Sequence, residues 1–375
     1  MSKSAKVIVL CVVAGLLLLG LALIPIQLGQ LGRWDFYPYW ASAHLLASGT
    51  NPYDYDAIVA LMAQVVPERQ EIEQAWNPPW LLVVLLPLGL LPFDVGARFW
   101  VLLNLLVVNG VVWVIWRWTA RTRQMPKWLP WVGLGFYATL VMIAIGQIAV
   151  IILLGVVACL AALRAGRDGL AGAALVLTLG KPQLVYLAVP LILLWAAQQH
   201  RWRVWAGLIG AWLLTLMVAT VLSPDWLTGY LTATGGHDFF TKLSATVSGV
   251  LKAYTGSDVL RFVGVFTLLL IPWLLRLIAR HDLLTGVNAA VLISVPLAPY
   301  GWTFDQIVLL PAIVQLAAWL RGLDRARARR YGVVLIAIYL AAFALKLVGW
   351  GDFLFVWVPL ALGGLYVQVY RARFS

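Results

Sequence analysis

The chain is a succession of apolar runs separated by short polar breaks, and the runs read as helices. They occupy 7–27, 95–116, 128–146, 148–164, 169–181, 183–199, 204–222, 258–279, 283–298, 305–320, 331–349 and 353–370. Most approach the roughly 20 residues with which a helix, rising ~1.5 Å per residue, crosses a hydrocarbon core ~30 Å thick. The run 169–181 is short enough to suggest a tilted or partly re-entrant path. One more run, 78–91, falls well short, since fourteen residues reach only about 21 Å. It is expected to lie along the membrane surface as a juxtamembrane helix. The first run is too long for a signal-peptide core and lacks a small-x-small cleavage site, which predicts a retained helix.

Charge gives these runs a direction. Basic residues cluster at Lys3/Lys6, 117–127, Arg164/Arg167, Arg201/Arg203, Arg276/Arg280, 321–330 and Arg371/Arg373. Placing every cluster in the cytoplasm, as the positive-inside rule requires, makes the runs alternate as twelve crossings with both termini inside. Nineteen of the 27 Lys and Arg residues then lie inside and twelve of the fifteen acids outside. The acids did not enter the construction, so they support it. The net charge of +12 therefore records orientation and contact with anionic lipid; no nucleic-acid partner is expected. With 63% hydrophobic residues and 11% charged, the expectation is an all-α, polytopic integral membrane protein folded as one domain over 1–375. Its parts are a first helix at 7–27, an exterior loop at 28–94 and the remaining helices at 95–370. The two cysteines, Cys11 and Cys159, fall inside apolar runs and carry no disulfide or metal signal.

The unusual polar residues then collect on one face, the exterior. The loop after the first helix opens Arg33-Trp34-Asp35-Phe36-Tyr37-Pro38-Tyr39-Trp40. A carboxylate at the mouth of an apolar bundle must pair, face water or do chemistry. Asp35 is accordingly either a partner of Arg33, a helix N-cap, or a functional group. Its aromatic neighbours fit an interfacial belt. Asn51-Pro52-Tyr53-Asp54 reads as a turn that starts a helix over 55–65 with Asp54 as its cap, and Trp76-Asn77-Pro78-Pro79 reads as another helix start. Lys181 interrupts the apolar stretch 171–195, so it either snorkels to the outer surface or holds an anion, most naturally a lipid phosphate. Arg98 is either its companion or an interfacial anchor. Asp305 sits in an aromatic turn, Tyr300-Gly301-Trp302-Thr303-Phe304-Asp305, as an N-cap or a site residue. His237-Asp238 lies in a Gly-rich loop and is read as solvated. No phosphate-binding loop, His-Glu-x-x-His or Cys/His cluster occurs.

A resemblance then becomes specific. Asp35-Phe-Tyr-x-Tyr-Trp, Gly49-Thr-Asn-Pro-Tyr53-Asp54, Asn77-Pro-Pro-Trp, Pro87-x-x-x-x-Pro92, Gly146-Gln147, Lys181-Pro182-Gln183 and 299–311 stand in the order seen in glycosyltransferase family 87. Over about 7–370 the chain resembles these polyprenyl-phosphate-mannose-dependent α-1,2-mannosyltransferases. The resemblance implies a GT-C fold with a juxtamembrane-helix loop after the first helix, an exterior active site in a bacterial inner membrane, and Asp35 as catalytic base. The chain departs from the mannoside-synthesising members at Trp302-Thr303-Phe304-Asp305, where they carry histidines. That departure bears on the acceptor and on the donor sugar.

The residues suit such a transfer. An acceptor hydroxyl loses a proton as it attacks, which a positioned carboxylate, Asp35, can take. A lipid-phosphate leaving group needs charge stabilisation, the expected role of Lys181 with Arg98. Asp305 or Asp54 would orient sugar hydroxyls, Trp302 or Tyr300 would stack on a sugar face, and Gln147, Gln183 and Asn77 complete the candidate set. The expected partners are a polyprenyl-phosphate sugar donor, a lipid or glycan acceptor and membrane lipids. No cofactor is expected, although exterior carboxylates leave a divalent ion open. A transporter or lipid flippase, and a non-catalytic scaffold, are the alternatives. The first predicts internal repeats and mid-membrane charges, and no two-half repeat is visible.

Overall fold

The computed structural model describes residues 32–66, 76–120, 124–235 and 243–374. The run 7–27, Cys11 and His237-Asp238 lie outside them. The described chain is about 80% helical and contains no strand. Six helical segments are long and apolar enough to cross a membrane: Phe93–Thr119, Arg203–Leu222, Val259–Arg280, Thr303–Leu320, Arg325–Leu347 and Asp352–Phe374. This makes a multi-pass membrane protein.

Three short helices lie ahead of the first long apolar helix: α1 (Phe36–Ala47), α2 (Tyr55–Val65) and α3 (Pro79–Gly89). Helix α2 has the bounds its turn predicts, because Asp54 caps it by accepting the Ala57 N–H at 3.1 Å. Helix α3 starts at Pro79, where a missing N–H costs nothing. It packs against α1 so closely at Gly89 that an added Cβ would stand 2.5 Å from the Ala43 backbone. Leu81, Leu82, Leu85 and Leu88 of α3 are buried.

Helix α4 (Phe93–Thr119) has 27 residues, ample for a span. The run 128–146, expected as one crossing, is instead two helices, α5 (Leu129–Leu134) and α6 (Tyr137–Ile145). The break falls at Gly135-Phe136, where Phe136 turns extended (φ −73°, ψ 120°). The hydrophobicity of this run conceals the break, since both halves are equally apolar. Helix α7 (Ala149–Arg164) runs through the core, and α8 (Asp168–Leu175) follows it, tightening into a 3₁₀ turn at Val176–Gly180. After a break at Lys181 come α9 (Ala188–Gln198), the span α10 (Arg203–Leu222) and the short helices α11 (Trp226–Gly235) and α12 (Val247–Thr255). Helices α8 and α10 cross with their backbones in contact, Gly172 against Val204 and Gly207 against Gly169. Small residues of this kind let helices meet where lipid supplies no hydrophobic drive.

The C-terminal half contains α13 (Ile271–Arg280), α14 (Leu283–Leu297), α15 (Leu310–Leu320), α16 (Arg325–Leu347) and α17 (Trp357–Phe374), with 3₁₀ segments leading into α13, α15 and α17. Burial divides the spans into two kinds. The segment Thr303–Leu320 is almost wholly enclosed by protein, whereas Arg203–Leu222 and Arg325–Leu347 leave most of their apolar surface outward. The enclosed segment begins at the aromatic turn that carries Asp305.

Candidate active site

Four side chains from four separate parts of the chain meet in a continuous polar line. Gln147 Nε2 donates to Asp35 Oδ2 at 2.6 Å. Lys181 Nζ donates to Gln147 Oε1 at 3.2 Å and to Asp305 Oδ1 at 2.7 Å. Asp305 Oδ2 accepts the Trp302 N–H at 3.0 Å. The line thus runs from carboxylate through amide and ammonium to a second carboxylate.

Local structure explains each position. Asp35 sits just before α1, and its backbone N–H is tied to the Ile145 carbonyl at 2.7 Å. Its side chain makes no cap hydrogen bond to α1, so the N-cap reading does not hold. Arg33 turns instead to Asp94 at 3.1 Å and to the Val65 carbonyl, over the face of Phe93. One turn along α1, Tyr39 projects from the same side as Asp35 and donates to Gln147 Oε1 at 3.0 Å. Gln147 follows Gly146, whose left-handed backbone (φ 83°) ends α6 and brings the turn against Gly32. Trp100 of α4 locks that turn by donating to the Gly146 carbonyl at 2.9 Å.

Lys181 occupies the break between two 3₁₀ turns, Val176–Gly180 and Pro182–Leu184. Helix α3 walls this break: Trp80 donates to the Leu179 carbonyl at 3.2 Å, and Leu81 fills the space beside Gly180. Lys181 is only 9% exposed, so it does not snorkel. A buried ammonium requires a counter-charge, and Asp305, 1% exposed, supplies it. The ammonium also lies 4.8 Å from the Phe304 ring centroid and 5.9 Å from that of Trp302, within cation–π range. Of its three donors, two are engaged by Asp305 and Gln147. Among the described residues no acceptor meets the third.

The other candidates divide. Trp302 stacks on Phe304 and meets Tyr300 edge-on, which sets both aromatics beside the ion pair. Burial, then the Asp305 carboxylate, then Tyr230 push the Tyr300 phenol up to about 12. Asn77 and Gln183 are buried, and the Asn77 carbonyl accepts from the Tyr53 hydroxyl at 2.8 Å. Asp54 is exposed and acts as the α2 cap, not as part of the line. Arg98 is exposed on α4 and makes no ion pair or hydrogen bond with Lys181, Asp305 or Asp35 among the described residues. Trp100, two residues on, faces inward, and a helix separates the directions of such neighbours by about 200°.

The aromatic belt expected after Asp35 is largely core. Phe36, Tyr37, Tyr39 and Trp40 are buried, with Phe36 stacked on Trp100 at 5.6 Å, and only Trp34 is exposed. Two contributors went unnoticed in the sequence, Tyr39 as a partner of Gln147 and Phe304 beside Lys181. The spacing of four between Asp35 and Tyr39 was a usable signal. Nothing comparable marks Phe304. No group of three or more His, Cys, Asp or Glu able to hold a metal occurs among the described residues.

No curated protein and no solved structure matches the chain. The family model of glycosyltransferase family 87 matches residues 76–299. That span is narrower than the 7–370 resemblance but covers well over half of the 375 residues, Gln147 and Lys181 included. Asp35 precedes the matched span and Asp305 follows it, yet both join the same polar line. With that match, the chain belongs to glycosyltransferase family 87 and is a membrane glycosyltransferase.

Proposed function

We propose that this protein moves a sugar, mannose, from a polyprenyl-phosphate donor to a lipid or glycan acceptor on the exterior face, with inversion at the anomeric carbon. The architecture in this reading is a GT-C fold of twelve spans in a bacterial inner membrane, with both termini cytoplasmic. The observation that carries it is the juxtaposition of Asp35 and Lys181 across the single amide of Gln147.

The acceptor hydroxyl attacks the anomeric carbon from the face opposite the phosphate, and its proton passes to Asp35. The carbon–oxygen bond to phosphate breaks, its electron pair stays on the phosphate oxygen, and Lys181 stabilises the charge with its remaining N–H. Asp305 serves as the counter-ion that holds Lys181 in place, since both of its oxygens are engaged within the chain. Trp302 and Tyr300 offer aromatic faces to the sugar. Arg98 and Asp54 have no part in this scheme. One carboxylate suffices as base because a phosphate needs no general acid to leave.

The test is sugar transfer from polyprenyl-phosphate mannose in membranes containing folded protein. Asp35→Asn should reduce turnover about 100- to 10,000-fold, the range for loss of a general base. Retained transfer in that variant rules the base out. Lys181→Ala with unchanged donor KM and kcat removes the phosphate role.

A further inference from the structure

We propose that Gln147 is a positioning residue: its amide keeps the Asp35 carboxylate ionised and out of contact with the Lys181 ammonium. This rests on the reading of Asp35 as base.

The amide cannot be turned over. Lys181 Nζ and the Ile148 N–H both donate to Oε1, each at 3.2 Å, and neither group can accept a hydrogen bond. Oε1 must therefore face Lys181, and the NH₂ end must face Asp35, where it donates at 2.6 Å. Tyr39 adds a third hydrogen bond to Oε1 at 3.0 Å. The backbone beneath is equally fixed, because Gln147 N–H is held by the Met142 carbonyl at 3.0 Å and the preceding Gly146 by Trp100. A side chain with both ends engaged inside the protein is not built to hold a sugar hydroxyl.

What the amide prevents is direct pairing of its two neighbours. Lys181 already has a carboxylate partner in Asp305. Contact with Asp35 as well would neutralise its charge and make Asp35 a weaker base, since a carboxylate paired with a cation holds a proton poorly. The neutral amide also favours the ionised form, but less strongly than an ammonium in contact would, so Asp35 stays ionised and keeps more of its basicity, and the amide dipole aligns with the field between the two charges. Among the described residues, the charged and titratable groups around Asp35 include Lys181 and Asp305 beyond the amide, Tyr39 on α1, and the neighbouring Arg33, itself paired with Asp94.

Gln147→Glu isolates this role. The substituted side chain keeps the shape and still accepts from Lys181, Ile148 and Tyr39, but sets an oxygen against Asp35 in place of the donor. Two carboxylates sharing a site raise one proton affinity strongly. The acidic limb of the kcat/KM profile for transfer from polyprenyl-phosphate mannose should move up by at least about one pH unit, with activity partly regained at alkaline pH. Infrared difference titration with isotope-labelled aspartate should show the same upward shift for the aspartate signal that Asp35→Asn removes, independently of turnover. An unmoved limb and an unmoved signal overturn the proposal while leaving the base assignment intact. Active Asp35→Asn overturns the base assignment instead. If Gln147→Glu does not fold, Gln147→Asn takes its place, being one methylene too short to span both partners. Its kcat should fall at least tenfold with donor KM within threefold of wild type, and a folded Gln147→Asn with wild-type kcat overturns the proposal.

Discussion

Two of the buried polar networks among the described residues differ in kind. The first joins Asp35, Gln147, Lys181 and Asp305; it carries formal charges and leaves one ammonium donor without a protein acceptor among the described residues. The second lies between α14, α15 and α17, where Gln315 Oε1 accepts from Asn288 at 2.7 Å and from the Tyr366 hydroxyl. Gln315 Nε2 donates to Thr285 Oγ1 at 3.0 Å, and Thr285 N–H donates to Asp282 at 2.8 Å. At its centre this network is neutral, and both ends of Gln315 are satisfied. A closed neutral network fixes how helices pack, because any other arrangement strands a polar group away from water. An open charged one retains capacity for a ligand. Burial alone does not separate the two, whereas charge and the spare donor do.

The largest break in this contrast should come from Asp305→Ala. It strands a buried ammonium, so the folded state should lose about 3–5 kcal/mol, read as a fall in detergent-solubilised unfolding temperature, together with transfer activity. The double variant Lys181→Met/Asp305→Leu should regain the stability and not the activity. A double variant that recovers both would make the pair structural. Gln315→Leu comes next. It leaves Asn288, Thr285 and Tyr366 short of partners and should cost roughly 1–3 kcal/mol, with kcat within threefold of wild type. Strong loss of turnover in a stable Gln315→Leu protein would erase the distinction between the networks.

The smallest effect belongs to Tyr300, in the turn beside Asp305. Its phenol is raised to about 12 in the folded protein, against an unfolded value near 10. Between these values the unfolded chain gives up its proton first, so stability that is present below about pH 10 is lost as pH rises through about 12. Tyr300→Phe should flatten the decline in unfolding temperature over that window. An unchanged decline would mean that another group governs it.

Much of the site was legible because its residues break apolar runs. Asp35, Lys181 and Asp305 each interrupt hydrophobic sequence, and such interruptions need a reason. The cap at Asp54 and the helix start at Pro79 were equally readable from local turn chemistry. The pairing was not, because Lys181 and Asp305 stand 124 positions apart and only tertiary packing joins them. Asp305 was expected to orient sugar, whereas its oxygens are engaged by Lys181 and Trp302 N–H. Arg98 illustrates the same limit from the other side. Its place near a helix end suggested the site, but rotation about α4 directs it outward. The aromatics after Asp35 look alike as a belt or as core, and it is their packing on Phe93 and Trp100 that decides. The break at Gly135-Phe136 is marked only by the nearby glycines Gly133 and Gly135, which the apolar sequence on both sides masks.

In the proposed reaction, Asp35 and Lys181 act on one substrate from either side of Gln147. A structure of the full chain with a non-hydrolysable polyprenyl-phosphate sugar analogue tests it most directly. The expected result is a phosphate within hydrogen-bonding distance of Lys181 Nζ, with the anomeric carbon open to a hydroxyl held by Asp35. A phosphate bound elsewhere, with Lys181 still closed on Asp305 and Gln147, would contradict it.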